Sequence, residues 1–196
     1  MEILHQVLQQ LINGISLGSI YALIALGYTM IYGIIKLINF AHGDIYMVGA
    51  YIGFFAITQA HLSIVPSLLI SLVVTGFLGM LVERLAYKPL RHAPRISVLI
   101  TAIGVSFFLE YTTMYFVSPT PRTFPAMFGD VAVTVGGIVI NGQQMLILGI
   151  TAVLMVILTY IVQKTKTGKA MRAASFDTET AELMGINSDR IISITF

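Results

Sequence analysis

The stretch KLINFAHGDIYMVGAY, residues 36–51, places a lysine, an asparagine, a histidine and an aspartate between two long apolar runs. A histidine and a carboxylate are the materials of a metal site or a proton relay. Both uses need more groups than are present here. His42 and Asp44 are two residues apart, so on a helix they point in different directions. The other histidines, His5, His61 and His92, fall in separate segments. Asp44 can instead act as the N-cap of the helix that follows, its carboxylate accepting from amides near Tyr46 or Met47. Asn39 and His42 can satisfy the last carbonyls of the preceding helix or contact neighbouring helices. The functional alternative is that Asn39, His42, Gly43 and Asp44 line a pathway where two helices meet. Both readings stay open at this stage.

Glu110 is the other candidate, the one acid inside a predicted span. Ionisable groups within a membrane are costly and often functional. Its place in the outer half of the helix also lets it reach the interface or pair there. Nothing in the chain matches a phosphate-binding lysine loop, a zinc-protease helix or a nucleophile elbow. The absence of cysteine excludes disulfides, thiolate metal sites and iron–sulfur clusters held by this chain. These residues carry no legible enzyme chemistry of those kinds.

The elements that carry them are apolar to a degree that a water-soluble domain is not. Charged residues make up 10% of the chain and hydrophobic residues 57%, with a mean hydropathy of +0.89; soluble domains carry about 25% charged residues. Residues 3–35, 45–82 and 131–163 contain no Asp, Glu, Lys or Arg. A bilayer-crossing helix needs about 20 apolar residues, so each run is long enough to cross. The expected architecture is an all-α, polytopic helical bundle in one transmembrane domain over 1–196. Its spans are expected at about 7–34, 45–59, 66–82, 96–117 and 145–162, with another starting from 191. The start MEILHQVLQQLING lacks the basic residues and cleavage site of a secretory signal, so the first helix is read as retained. Between 118 and 144 the chain is rich in Pro and Gly; its alternating valines before Gly136-Gly137, with Asn141-Gly142 after them, predict a small surface hairpin.

Basic residues concentrate in cytoplasmic loops. Arg84, Lys88, Arg91 and Arg95 follow the third predicted span, and Lys164, Lys166, Lys169 and Arg172 follow the fifth. With five spans these loops and Lys36 share one side, and Arg122 beside Asp130 lies opposite. The N-terminus is then outside and residues 164–190 are cytoplasmic. The four basic residues after the third span read as this topology signal rather than as a binding site. Gly14, Gly18 and Ala22 recur every four residues, as do Gly49 and Gly53, which suits close helix packing in lipid. They support a bundle and say nothing about substrate. The chain stops at IISITF, a few residues into another apolar segment, and reads as the front part of a longer protein.

In the segment after the fifth span, Asp177 is a predicted N-cap and 178–184 a short helix ended by Gly185. Ala181 and Met184 are expected on one face with Leu183 nearby. Such a helix suits docking into a groove on a partner protein; lying on the membrane surface is the alternative.

Three segments in order, INFAHGDIYMVGAY (38–51), PLRHAPRISVLITAIGVSFFLE (89–110) and GKAMRAASFDTETAELMGINSDR (168–190), resemble the permease subunits of ABC importers for branched-chain amino acids, a group that includes relatives for urea and short amides. The resemblance implies a fold of the type II importer kind. It implies a coupling helix over 178–185, with Ala181, Met184 and Gly185 matching its A-x-x-M/L-G part and Thr178, Glu182 and Leu183 completing it. The importer motif that begins Glu-Ala-Ala and contains Asp-Gly is present only in degenerate form. The implied partners are ABC ATPase subunits, a second permease subunit and a periplasmic substrate-binding protein, in the bacterial inner membrane. ATP and magnesium would belong to the ATPase, with no cofactor or metal bound by this chain. The expected function is ATP-driven import of leucine, isoleucine or valine. An ATP-independent secondary transporter would need an ion-coupling site, for which Glu110 is the lone candidate. An intramembrane enzyme would need a converging His/Asp/Glu cluster that the sequence lacks.

Overall fold

A computed structural model describes residues 2–36, 38–91, 93–125, 132–135 and 138–196. Leu37, His92, Asp130 and the expected Gly136-Gly137 turn lie outside the described residues. The elements are helix α1 (Glu2–Ile35), α2 (His42–Thr58), α3 (Ile64–Val82), α4 (Arg95–Val117), strands β1 (Ala132–Val135) and β2 (Ile138–Asn141), then α5 (Gly142–Lys164), α6 (Lys166–Phe176), α7 (Thr178–Leu183) and α8 (Ser188–Thr195). A π-helical turn, Glu83–Tyr87, and a 3-10 turn, Lys88–Leu90, extend α3. Among the described residues, four helical segments are long and apolar enough to cross a membrane: Ile3–Ile34, Ile64–Leu90, Arg95–Val117 and Gly142–Lys164. The expected span at 45–59 is α2, which has 17 residues, somewhat short of the roughly 20 of a typical crossing helix.

The chain divides into two units. The first comprises Met1–Gly27 and Pro125–Gly168. In it β1 and β2 pair antiparallel, with Ala132 opposite Asn141 and Val135 opposite Ile138. The hairpin therefore forms where the alternating valines place it. Gln9 of α1 holds β2 by both ends of its amide: Nε2 donates to the Val139 carbonyl and Oε1 accepts from the Val139 amide, each at 2.8 Å. Asn13 Oδ1 accepts from Gln144 Nε2 at 2.8 Å and from Gln9 Nε2 at 3.3 Å. Asn141-Gly142 is not a hairpin turn but the start of α5, where the Asn141 amide donates to Gln144 Oε1 at 3.1 Å. Gln9 and Asn13 in the first third of α1 thus form one hydrogen-bonded cluster with β2 and the start of α5. Gly14 and Gly18 have nothing within 4 Å of the position a Cβ would take, and Ala22 is exposed. The expected close helix packing at these three is therefore not formed within this unit.

The second unit comprises Tyr28–Phe124 and Lys169–Phe196. Its main core gathers Ala41 just before α2 and Ile45 within it, Val82 and Tyr87 at the end of α3, and Val98, Ala102 and Leu109 of α4. A second cluster packs Ile34 of α1 with Met171 and Ala174 of α6 and Ile191 and Ile192 of α8. Helices α2 and α3 meet through small residues. Ser71 Oγ donates to the Gly49 carbonyl at 2.6 Å, and a Cβ at Gly49 would sit 2.6 Å from Thr75 Oγ1. Gly53 lies over Ser71 with ordinary van der Waals room, 3.8 Å. Without a hydrophobic force between helices in lipid, such close backbone approach supplies the packing energy. At the far end of α2 the Arg122 guanidinium lies 5.9 and 5.7 Å from the ring centres of Phe54 and Phe55.

Candidate functional site

Two groups of residues in the second unit carry the chemistry. The first is the junction of α1 and α2. Helix α1 ends at Lys36, whose φ of 55° is left-handed and whose amide donates to the Tyr32 carbonyl at 2.8 Å. The chain then makes one turn, the His42 amide donating to the Asn39 carbonyl at 3.3 Å, and enters α2 at His42. Asn39 is only 2% exposed. Its Oδ1 accepts from the Tyr87 hydroxyl at 2.7 Å, while Nδ2 has no hydrogen-bond partner. The amide therefore braces the end of α3 rather than capping α1. His42 meets the Tyr28 ring edge-on, 6.1 Å between centres.

Asp44 is not the N-cap of α2. The helix begins two residues earlier, its N-cap position is Ala41, and no side chain caps it. Asp44 sits in the first turn, where a carboxylate still suits the positive end of the helix, and accepts a hydrogen bond from Ser106 Oγ of α4. The reason is geometric: the Asn39–His42 turn already starts the helix, so the carboxylate is free to reach a neighbour. Glu110 lies one turn beyond Ser106 on α4, and it is exposed.

The second group is α6 to α8. Asp177 caps α7 as its position predicts: Oδ1 accepts from the amides of Glu179 at 3.0 Å and Thr180 at 3.2 Å. The Thr180 hydroxyl bonds the other oxygen, and these bonds, the hydroxyl's first, hold the Asp177 carboxyl below its ordinary range. Gly185 takes the left-handed conformation, φ +84°, that ends α7, with its amide donating to the Glu182 carbonyl at 2.9 Å. Asn187 then caps α8 through the Arg190 amide at 2.9 Å. Ala181 and Met184 do not share a face. Ala181 is buried, whereas Leu183 and Met184 are 86% and 81% exposed, and Phe176 before the turn is 91% exposed. Met184 stands at the C-cap of α7, past its last helical residue, which releases it from the face of Ala181. Thr178 is half-buried and Glu182 exposed. The segment thus presents large apolar side chains outward from a short helix fixed by caps at both ends.

Between the two groups lies a charged cluster that the sequence pattern did not reveal. Glu83, in the π-helical turn, is 1% exposed. Its Oε1 accepts from the Arg91 guanidinium and its Oε2 from Ser193 Oγ of α8, the latter at 2.8 Å. The same guanidinium pairs with Asp189 in the first turn of α8, which Lys88 also reaches at 2.8 Å. Hydrogen bonding from Lys88, with Arg91 adding to it, lowers the Asp189 pKa below its ordinary value. Lys88 and Arg91 thus have structural partners in addition to any topological role. A charge-free apolar run ending at Val82 put Glu83 at a span boundary, and boundary acids ordinarily face water. Among the described residues no three His, Cys, Asp or Glu side chains are grouped as a metal site.

A profile of the family described as branched-chain amino acid transport system / permease component matches residues 10–196. The high-affinity branched-chain amino acid transport system permease protein BraD of Pseudomonas aeruginosa is 43% identical over the whole of this chain and 67% of its own length. LivH, a protein of the same description, is 40% identical in Escherichia coli (strain K12) and 38% identical in Salmonella typhimurium, each match covering 96% of this chain and 65% of the relative. The chain spans about two thirds of the length of these relatives. No solved structure matches it significantly.

Proposed function

This chain belongs to the branched-chain amino acid transport permease family, and from that premise we propose that it is a membrane-spanning subunit of an ATP-driven importer for leucine, isoleucine and valine. The observation that carries the mechanism is the exposed pair Leu183 and Met184 on a helix capped by Asp177 and Gly185. A short helix with protruding apolar side chains fits a groove on a partner, and the partner we assign is an ABC ATPase subunit. ATP and magnesium act there. A second permease subunit completes the membrane pathway, and a periplasmic binding protein delivers substrate. The basic residues around Lys88 and Lys166 support placing 164–190 on the cytoplasmic side of a bacterial inner membrane, with the N-terminus outside.

ATP binding would displace α7 and α8, and the spans would exchange between outward- and inward-open arrangements. Such an exchange requires contacts that differ in energy between the two states. Asn39, His42, Gly43 and Asp44 sit where α1, α2 and α4 would have to shear past one another, and we assign them to that junction at the inner end of the pathway.

Co-purification with the ATPase tests the docking assignment. Met184→Asp places a charge at the centre of the apolar contact and is expected to abolish association while leaving membrane insertion intact. Unchanged association would count against the assignment. Uptake of labelled leucine and labelled urea, each with its purified binding protein, separates the two substrate classes of the family. Transport of urea alone would replace the amino-acid reading.

A further inference from the structure

Glu83 is a carboxylate with almost no contact with water, and both of its oxygens are engaged by residues outside its own turn. Burying an ion pair is a poor way to gain stability, since well-packed apolar residues of the same volume do as well or better. The Asp189 end of the cluster is half exposed, 53%, and exposed pairs are worth little. Stability therefore does not account for two carboxylates from different elements sharing one guanidinium.

Position accounts for it better. Glu83 and Tyr87 open and close the π-helical turn at the end of α3. π-Helical turns are rare and are frequent at functional sites. Tyr87 reaches Asn39 at the α1–α2 junction, and Glu83 reaches α8 twice, through Ser193 directly and through Arg91 to Asp189. Helix α8 follows α7 after only 184–187, and its Ile191 and Ile192 also pack on Ile34 at the end of α1. The contacts are asymmetric. Arg91 is held on its buried side by Glu83 and on its exposed side by Asp189, so a pull on α8 passes through the guanidinium to Glu83.

We propose that Glu83 is the positioning residue through which displacement of the α7–α8 segment reaches the end of α3 and the Asn39 junction, with Arg91 and Ser193 as its two tethers to α8. This rests on the reading of α7 as the ATPase-docking helix. Glu83 touches neither substrate nor nucleotide in this scheme; it sets how much of the ATPase motion arrives at the spans.

The test uses the complete transporter, with the full-length permease, its ATPase, second permease and binding protein, in proteoliposomes. Glu83→Gln keeps the shape of the side chain and weakens both tethers, whereas Asp189→Asn loosens only the exposed arm and leaves the buried one in place. Three readouts are followed: ATPase retained on the permease, ATP hydrolysed, and substrate taken up per ATP. Glu83→Gln is expected to retain the ATPase and keep hydrolysing ATP while uptake per ATP falls about tenfold, what losing a hydrogen bond to a charged group is worth. Asp189→Asn should lower uptake per ATP less, and the double variant should be no worse than Glu83→Gln alone. An unchanged uptake per ATP in Glu83→Gln, or hydrolysis and uptake falling together with the amount of folded protein, would overturn the proposal. Failure of the unaltered permease to hold an ATPase would instead overturn the docking reading, and this inference with it.

Discussion

The Tyr87 hydroxyl donates to Asn39 Oδ1 at 2.7 Å, joining the end of α3 to the α1–α2 junction across 48 residues of sequence. Both side chains are buried, and the bond is flanked by the Phe196 ring, whose centre is 5.1 Å from that of Tyr87. Tyr87→Phe keeps the ring packing and removes the donor. Asn39 would then be buried with its amide oxygen as well as its amide nitrogen unpaired, a loss of about 1–3 kcal/mol. The expected outcome is a lower melting temperature in detergent with unchanged membrane insertion. A melting temperature equal to that of the unaltered protein would show that the bond carries no load.

The contact between α2 and α3 predicts a sharp difference between two glycines four residues apart. A Cβ at Gly49 meets Thr75 Oγ1 at 2.6 Å, closer than real contacts allow, whereas one at Gly53 meets Ser71 at 3.8 Å. Gly49→Val should therefore force the helices apart and break the bond from Ser71 Oγ to the Gly49 carbonyl. Gly53→Ala should be accommodated. Disulfide cross-linking between cysteines introduced on facing positions of α2 and α3 measures the separation. Equal cross-linking in the two variants would be incompatible with this packing.

How much of this was legible in sequence depended on how far apart the partners lie. Asp177, Gly185 and the end of α3 at Val82 are set by neighbours within a turn or two, and local pattern found them. The capping expectation for Asp44 fails because its partner, Ser106, is 62 residues away, and an acid near a helix start has an obvious local use. The sign of Arg91 and Lys88 points only to topology, since basic residues after a span are ordinarily explained by the membrane. Their pairing with Asp189 depends on α8 folding back, a relationship with no periodicity to betray it. Gln9 is similar: a glutamine in an apolar helix gives no hint that its amide will extend a strand 130 residues later. Local pattern placed the short helix after Asp177, and the resemblance implied a coupling role for it; the structure turns Ala181 inward and leaves Leu183 and Met184 outside.

The cap of α7 titrates. Bonds from Thr180 and Glu179 favour the charged carboxylate, so the Asp177 pKa in the folded segment lies below its unfolded value. A depressed acid contributes stability that is present above the unfolded pKa and is lost as pH falls through the folded pKa. Helix α7 should thus be protected at neutral pH and fray in acid, below the ordinary aspartate range. Hydrogen exchange of the 178–183 amides reads this directly. Asp177→Asn, which caps nearly as well without a charge, should remove the pH dependence while keeping protection at pH 7. Protection that rises on acidification would contradict the assignment.

Gly185 offers the most specific handle on the proposed docking, because its backbone and its surroundings make separate demands. Its φ of +84° lies where L-residues are strained, yet nothing lies within 4 Å of where a Cβ would stand. The cost of substitution is therefore conformational rather than steric. Asparagine visits the left-handed region more readily than other non-glycine residues, so Gly185→Asn should keep most ATPase association. Gly185→Ala should weaken it by roughly the 1–2 kcal/mol of a left-handed alanine, about tenfold. Gly185→Pro is different in kind: proline fixes φ near −65° and has no N–H, so the turn and the bond from the Gly185 amide to the Glu182 carbonyl are both lost. Leu183 and Met184 would then be presented at the wrong angle, and association should disappear while the spans still insert. The order Gly, Asn, Ala, Pro in ATPase affinity, measured by co-purification against titrated ATPase, follows from the backbone alone. Full affinity in Gly185→Pro would mean that this turn does not position the docking residues.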